Sequence, residues 1–185
     1  MKNAYVFFAE GFEEIEAITI VDVLRRAEIP TITISITGNK EVKGAHNIPI
    51  TTDALFEDVD YSDSEILVLP GGLPGSHNLR DHKQLTALLS EKNAKGDKLA
   101  AICAAPYVLG ELNILENKTA VCYPGVEDKL LKANVVFEPA VISENITTGR
   151  GVGAALNFAL SIVKNIKGEE HSNALADAML VDNWN

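Results

Sequence analysis

The chain has 185 residues, 46% of them hydrophobic but only 6% aromatic, which suits a single domain spanning 1–185 with one sizeable aliphatic core. Its 16 Lys and Arg against 26 Asp and Glu leave a formal net charge of −10, which argues against nucleic acid and anionic membrane surfaces as partners. No apolar run approaches a membrane span, and the apolar N-terminus is cut short by Glu10, so no export signal is expected and a cytoplasmic location with Cys103 and Cys122 as free thiols is.

Residues 4–8 read as a buried strand, followed by an acidic segment, Glu10-Gly11-Phe12-Glu13-Glu14, that opens an amphipathic helix running to about Arg26. Acids at its start and Arg25 and Arg26 at its end suit the helix macrodipole. Residues 31–36 alternate as a second strand, and 38–50 suggest a hairpin excursion. Residues 65–69 form a third buried strand ending in Pro70-Gly71-Gly72, and helical patterning then covers about 76–93. Residues 98–102 read as another buried strand, which Cys103-Ala104-Ala105-Pro106 turns directly into a helix over 107–112, with proline in its first turn. Weaker signals follow: strands at 119–122 and 135–137, a helix at 125–132, a strand at 146–148, and helices at 151–164 and 169–180.

Strands alternating with helices predict an α/β fold, a mostly parallel sheet with helices on both faces. Ligands of such sheets bind beyond the carboxyl ends of the strands, where the loops after Phe8, Leu69 and Ile102 converge.

At that edge Cys103 occupies a strand-to-helix corner, the placement of a nucleophile elbow. Backbone N–H groups of the following helix start lower a thiol's pKa, so a thiolate at neutral pH is expected; the competing reading is a small buried structural cysteine. Gly71-Gly72 can turn its N–H groups toward the same edge as an anion pocket, or be an ordinary tight turn. Among Glu13, Glu14 and Glu16, one can face inward, where burial beside sulfur would keep it protonated; otherwise all three form a solvated helix start. Of His46, His77, His82 and His171, none stands where a cysteine protease keeps its base. No His, Cys and carboxylate grouping has metal-ligand spacing in the sequence, so no metal is expected.

Five ordered motifs carry a resemblance: Ala9 to Glu16, Val21 to Ala27, Leu69-Pro70-Gly71-Gly72, Ala101 to Pro106, and Thr148-Gly149-Arg150-Gly151. Together they closely resemble the ThiJ/PfpI superfamily, in the branch of the Parkinson-associated deglycase and its bacterial relatives. The resemblance implies a flavodoxin-like doubly wound sandwich and a homodimer. It matches Cys103 to the oxidation-sensitive nucleophile and Glu16 to the protonated carboxyl that contacts its sulfur. Gly72 and Ala104 then supply the N–H groups of the anion pocket, Arg26 a basic residue near the site and dimer interface, and His46 another reaching across the dimer. The chain departs from several relatives in carrying Tyr123 where they have histidine, and Ala104 where the protease-like branch has one, which argues against proteolysis. The implied function needs no cofactor: methylglyoxal, glyoxal or early glycation adducts would react at Cys103. The alternative is a non-enzymatic redox sensor or chaperone in which peroxide takes Cys103 to the sulfinate.

Overall fold

Successive side chains of a strand point to opposite faces, so a strand that is apolar at every position needs cover on both sides. In the computed structural model, which describes residues 2–182 and Trp184, β1 (Asn3–Phe8) shows this directly. Ala4, Val6 and Phe8 pack into one core and Tyr5 and Phe7 into the other. Ile66 and Val68 against Leu67 and Leu69 in β6 (Ser64–Leu69), and Ala100 and Ile102 against Leu99 and Ala101 in β7 (Lys98–Ile102), divide in the same way.

The remaining strands are β2 (Thr31–Ser35), β3 (Glu41–Lys43), β4 (Pro49–Thr51), β5 (Ala54–Leu55), β8 (Thr119–Ala120), β9 (Asn134–Val135), β10 (Ala140–Ser143) and β11 (Ile146–Gly149). The central sheet has seven strands in the order β10-β11-β7-β6-β1-β2-β5. All its pairs are parallel except β10 with β11. One face is covered by α1 (Glu14–Arg26), α5 (Ala155–Lys167) and α6 (Glu169–Ala178). The other carries α2 (Gly75–Asp81), α3 (Lys83–Ala94) and α4 (Pro106–Glu111). This is the flavodoxin-like arrangement expected. Because β2 and β6 flank β1 on opposite sides, the winding reverses there, and the loops after β1 and β6 meet beside the end of β7, where the Glu13 N–H donates to Gly71 O.

Several boundaries differ from the sequence expectation. The helix expected over 76–93 breaks at His82, whose extended backbone lets Nδ1 accept the Leu85 N–H at 3.1 Å and cap α3. The helix expected at 125–132 is one 3-10 turn, Glu127–Lys129, with Leu130 the only buried side chain of that span to hold a longer one. The strands expected at 119–122 and 135–137 contract to β8 and β9, which pair with each other outside the central sheet. β10, absent from the sequence reading, closes the sheet edge as an antiparallel partner of β11. The 38–50 excursion is the expected hairpin, with Val42 opposite Ile50.

Candidate active site

Cys103 follows β7 directly, with φ of 66°, a left-handed conformation that a non-glycine residue adopts at a cost and that surrounding contacts must hold. Two backbone hydrogen bonds do so: its N–H donates to Gly149 O at 2.9 Å and its carbonyl accepts the Tyr123 N–H at 2.7 Å. The corner is thus clamped by the ends of neighbouring segments, and Cys103, at the sheet edge, is 8% exposed.

Glu16 reaches the same point from the first turn of α1. Glu13 caps that helix, its Oε2 accepting the Glu16 N–H at 2.7 Å, and its own N–H donates to Gly71 O at 2.9 Å, tying the helix start to the loop after β6. Glu16 is fully buried. Its Oε2 accepts the Gly71 N–H at 2.9 Å and Oε1 has no conventional hydrogen-bond partner, while the carboxyl and the Cys103 thiol interact. Gly71 has no room for a side chain: a Cβ there would lie 2.5 Å from Cys103 Cβ and 2.6 Å from Glu16 Oε2. The N–H groups of Gly72 and Ala104 both act on the sulfur.

Opposing influences act on the Cys103 thiol. Burial, then the charge of Glu16, push the Cys103 thiol up to about 12, against the lowering by the Gly72 and Ala104 N–H groups. Burial likewise pushes Glu16 up to about 7. Desolvation beside a carboxyl thus opposes the thiolate that a helix start alone favours. The two groups form one unit that releases its first proton near neutrality and holds the second far above it.

The structure brings Cys103, Glu16, Gly72 and Ala104 together. Arg26 lies ten residues along α1 from Glu16, about 15 Å at the helical rise, with Nε on Asp22 Oδ2 at 2.7 Å, so within the protomer it stands away from the sulfur. His46 sits at the rim, where its N–H and Nδ1 meet Glu14 at 2.6 and 2.8 Å. That pairing lowers the Glu14 carboxyl and raises the His46 imidazole. Ligand-type atoms of Glu13, Glu14 and His46 all lie within 4.8 Å of one another, a grouping invisible in sequence spacing because the hairpin supplies the histidine. The hydrogen bonds just described already engage each of the three. Among the described residues no histidine hydrogen-bonds Cys103. Sequence reasoning gives Gly71-Gly72 jointly an anion-pocket role and the resemblance narrows it to Gly72, whereas the Gly71 N–H holds Glu16. That reasoning also gave Glu13 no separate role, and an acid preceding a helix start is the N-cap pattern.

A model of the DJ-1/PfpI family matches residues 2–165. Protein dj-1beta of Drosophila melanogaster is 35% identical over 182 residues, 97% of each chain. A Caenorhabditis elegans protein named glutathione-independent glyoxalase DJR-1.2 is 33% identical over 177 residues, 94% of each. The structure of oxidized Toxoplasma gondii DJ-1 superposes with a TM-score of 0.94 at 31% identity, covering 98% of this chain and 100% of that one. Family model, relatives and superposition all span the strands and loops that build the Cys103 corner, and the chain belongs to the DJ-1/PfpI family, in its DJ-1 branch.

Proposed function

We propose that this chain is a cofactor-independent enzyme that converts small α-oxoaldehydes, methylglyoxal or glyoxal, to 2-hydroxy acids through a Cys103 hemithioacetal. The observation that carries the reading is the buried Glu16–Cys103 unit, which loses one proton near neutrality while three backbone N–H groups are aimed at it. Two of those groups serve the sulfur and one the carboxyl, and this reading places the charge on Sγ and the proton on Glu16. The glyoxalase name of the C. elegans relative supports the same chemistry.

In this reading the thiolate adds to the aldehyde carbon, a C–S bond forms, and the carbonyl oxygen takes the Glu16 proton. The Glu16 carboxylate then removes the hydrogen on that carbon as a proton; the electron pair left behind forms an enediol with the neighbouring carbonyl. Return of a proton to the second carbon gives a 2-hydroxy thioester. Water displaces the sulfur, the C–S bond breaks, and the hydroxy acid leaves. The first carbon is oxidised and the second reduced, so no outside oxidant enters.

One observation favours a second reading. The same N–H groups beside the sulfur of Cys103, a residue at 8% exposure, would hold the oxygens of a sulfinate, making Cys103 a peroxide sensor. Early glycation adducts remain within the substrate class of the first. For either, we take a homodimer to be the working form, since Ile15 and Ile18 on α1 are 57% and 46% exposed and a second copy would cover them. Hydroxy acid formation from methylglyoxal, in glutathione-free and amine-free buffer, tests the enzyme. Multiple turnovers lost in Cys103→Ser are expected. No turnover, with mild peroxide adding two oxygens to Cys103 alone, would leave the sensor.

A further inference from the structure

The Gly149-Arg150-Gly151 segment has no part in the chemistry above, yet it leaves β11 directly beside the Cys103 corner. Gly149 pairs with Ile102 and accepts the Cys103 N–H. A cavity of about 580 Å³ opens there, walled by Tyr123, Phe137 and Val152 and bordered by Arg150 and Gly151. Such a volume lies in the range that accommodates ligands much larger than a three-carbon aldehyde, about 300–1,000 Å³. Gly151 is the threshold between cavity and nucleophile: a Cβ on it would stand 3.1 Å from the Tyr123 ring and 4.0 Å from Cys103 Sγ.

Arg150 sets the chemistry of this cavity. Arg25, Arg26 and Arg80 each pair with an aspartate, at 2.9, 2.7 and 2.8 Å. Arg150 is the one arginine among the described residues with no carboxylate partner, in a chain of net charge −10. It is held instead by the backbone. Its N–H donates to Pro139 O at 3.0 Å, one guanidinium N–H donates to Phe137 O at 3.0 Å, and the guanidinium lies over the Phe137 ring at 6.0 Å. An arginine anchored this way keeps its remaining donors for an anion, which a guanidinium receives in a fixed, forked geometry.

We propose that the cavity is a subsite for the non-reacting arm of the substrate, and that Arg150 selects α-oxoaldehydes whose short aliphatic arm ends in a carboxylate. The apolar wall takes the methylenes, Arg150 takes the anion, and the aldehyde passes over Gly151 to the sulfur. This rests on the reading of Cys103 as the attacking thiol, and it adds a substrate class to that reading.

The test compares 4,5-dioxopentanoate with its neutral counterpart of equal chain length, 2-oxopentanal. Wild type should show kcat/KM about tenfold higher for the anionic aldehyde, the scale of one charge-assisted hydrogen-bonded pair. In Arg150→Gln the ratio should fall to about one, Arg150→Lys should restore part of it, and added salt should reduce it. A wild-type ratio near one, or a ratio that Arg150→Gln leaves untouched, overturns the subsite while leaving the aldehyde chemistry intact. Binding of the corresponding products to Cys103→Ser, by calorimetry, separates the two claims. Tighter binding of 2-hydroxyglutarate than of 2-hydroxypentanoate, lost in the double variant with Arg150→Gln, supports the subsite even if no aldehyde is turned over. Equal binding together with no turnover overturns both.

Discussion

Replacing Glu16 by Gln keeps the shape of a fully buried side chain and removes its proton equilibrium. The folded protein raises this carboxyl from 4.5 to about 7, chiefly by burial. Between those pH values the folded state holds a proton that the unfolded chain has released, so stability is greatest below about pH 4.5 and falls as pH climbs through about 7. At about 1.4 kcal/mol per tenfold change in proton affinity, wild type should lose about 3 kcal/mol over that span through this one group. The assay is urea unfolding followed by circular dichroism at pH 5 and pH 8, wild type against Glu16→Gln. Exposed pairs such as His46 with Glu14 titrate identically in both proteins and cancel in the comparison. The variant should gain about 2.5 kcal/mol relative to wild type between the two pH values, since pH 5 already lies just above the unfolded value. An equal difference at both would refute the buried-carboxyl reasoning. Thiolate absorbance on the same samples locates the charge: a rise near pH 7 in wild type puts it on sulfur, and a rise confined to far higher pH keeps it on Glu16.

Three further outcomes follow from the geometry. Gly71→Ala forces a methyl to within 2.5 Å of Cys103 Cβ and 2.6 Å of Glu16 Oε2, so it should cost about 1–3 kcal/mol by overpacking and change the rate of Cys103 alkylation; a neutral substitution by thermal melt and iodoacetamide rate would contradict the contact. Glu13→Ala removes the α1 cap at about 1 kcal/mol, and, since the Glu13 charge helps raise Glu16, it should also move the Glu16 titration to lower pH, read by NMR of a labelled carboxyl. Ile18→Asp places a charge on the exposed face of α1 and should convert a dimer into a monomer in light scattering; a monomeric wild type would remove the dimer proposal.

The pattern of elements was legible from local signals. The continuous apolar runs of β1, β6 and β7 require cover on both faces, and the glycines, prolines and acids between them mark where strands stop and helices begin. The corner at Cys103 was legible for the same reason, since a buried strand running straight into a helix leaves little choice of backbone. Where the signal depended on partners the reading failed: residues 125–132 have helical composition but bury only Leu130, and β10 exists only because β11 offers it an edge. The charge state of the site belongs wholly to the tertiary structure. Glu16 and the Gly71 N–H that holds it are 55 residues apart, and the pKa of Cys103 is set by a contest between local N–H groups, which the sequence displays, and burial beside a carboxyl, which it does not. Local sequence thus determined the strands, the corner and the residue types at it. Only the packing of distant loops decided that a thiol and a carboxyl share one proton, and that Arg150 is left without an acid beside them, because desolvation and charge pairing depend on distances in space rather than on spacing along the chain.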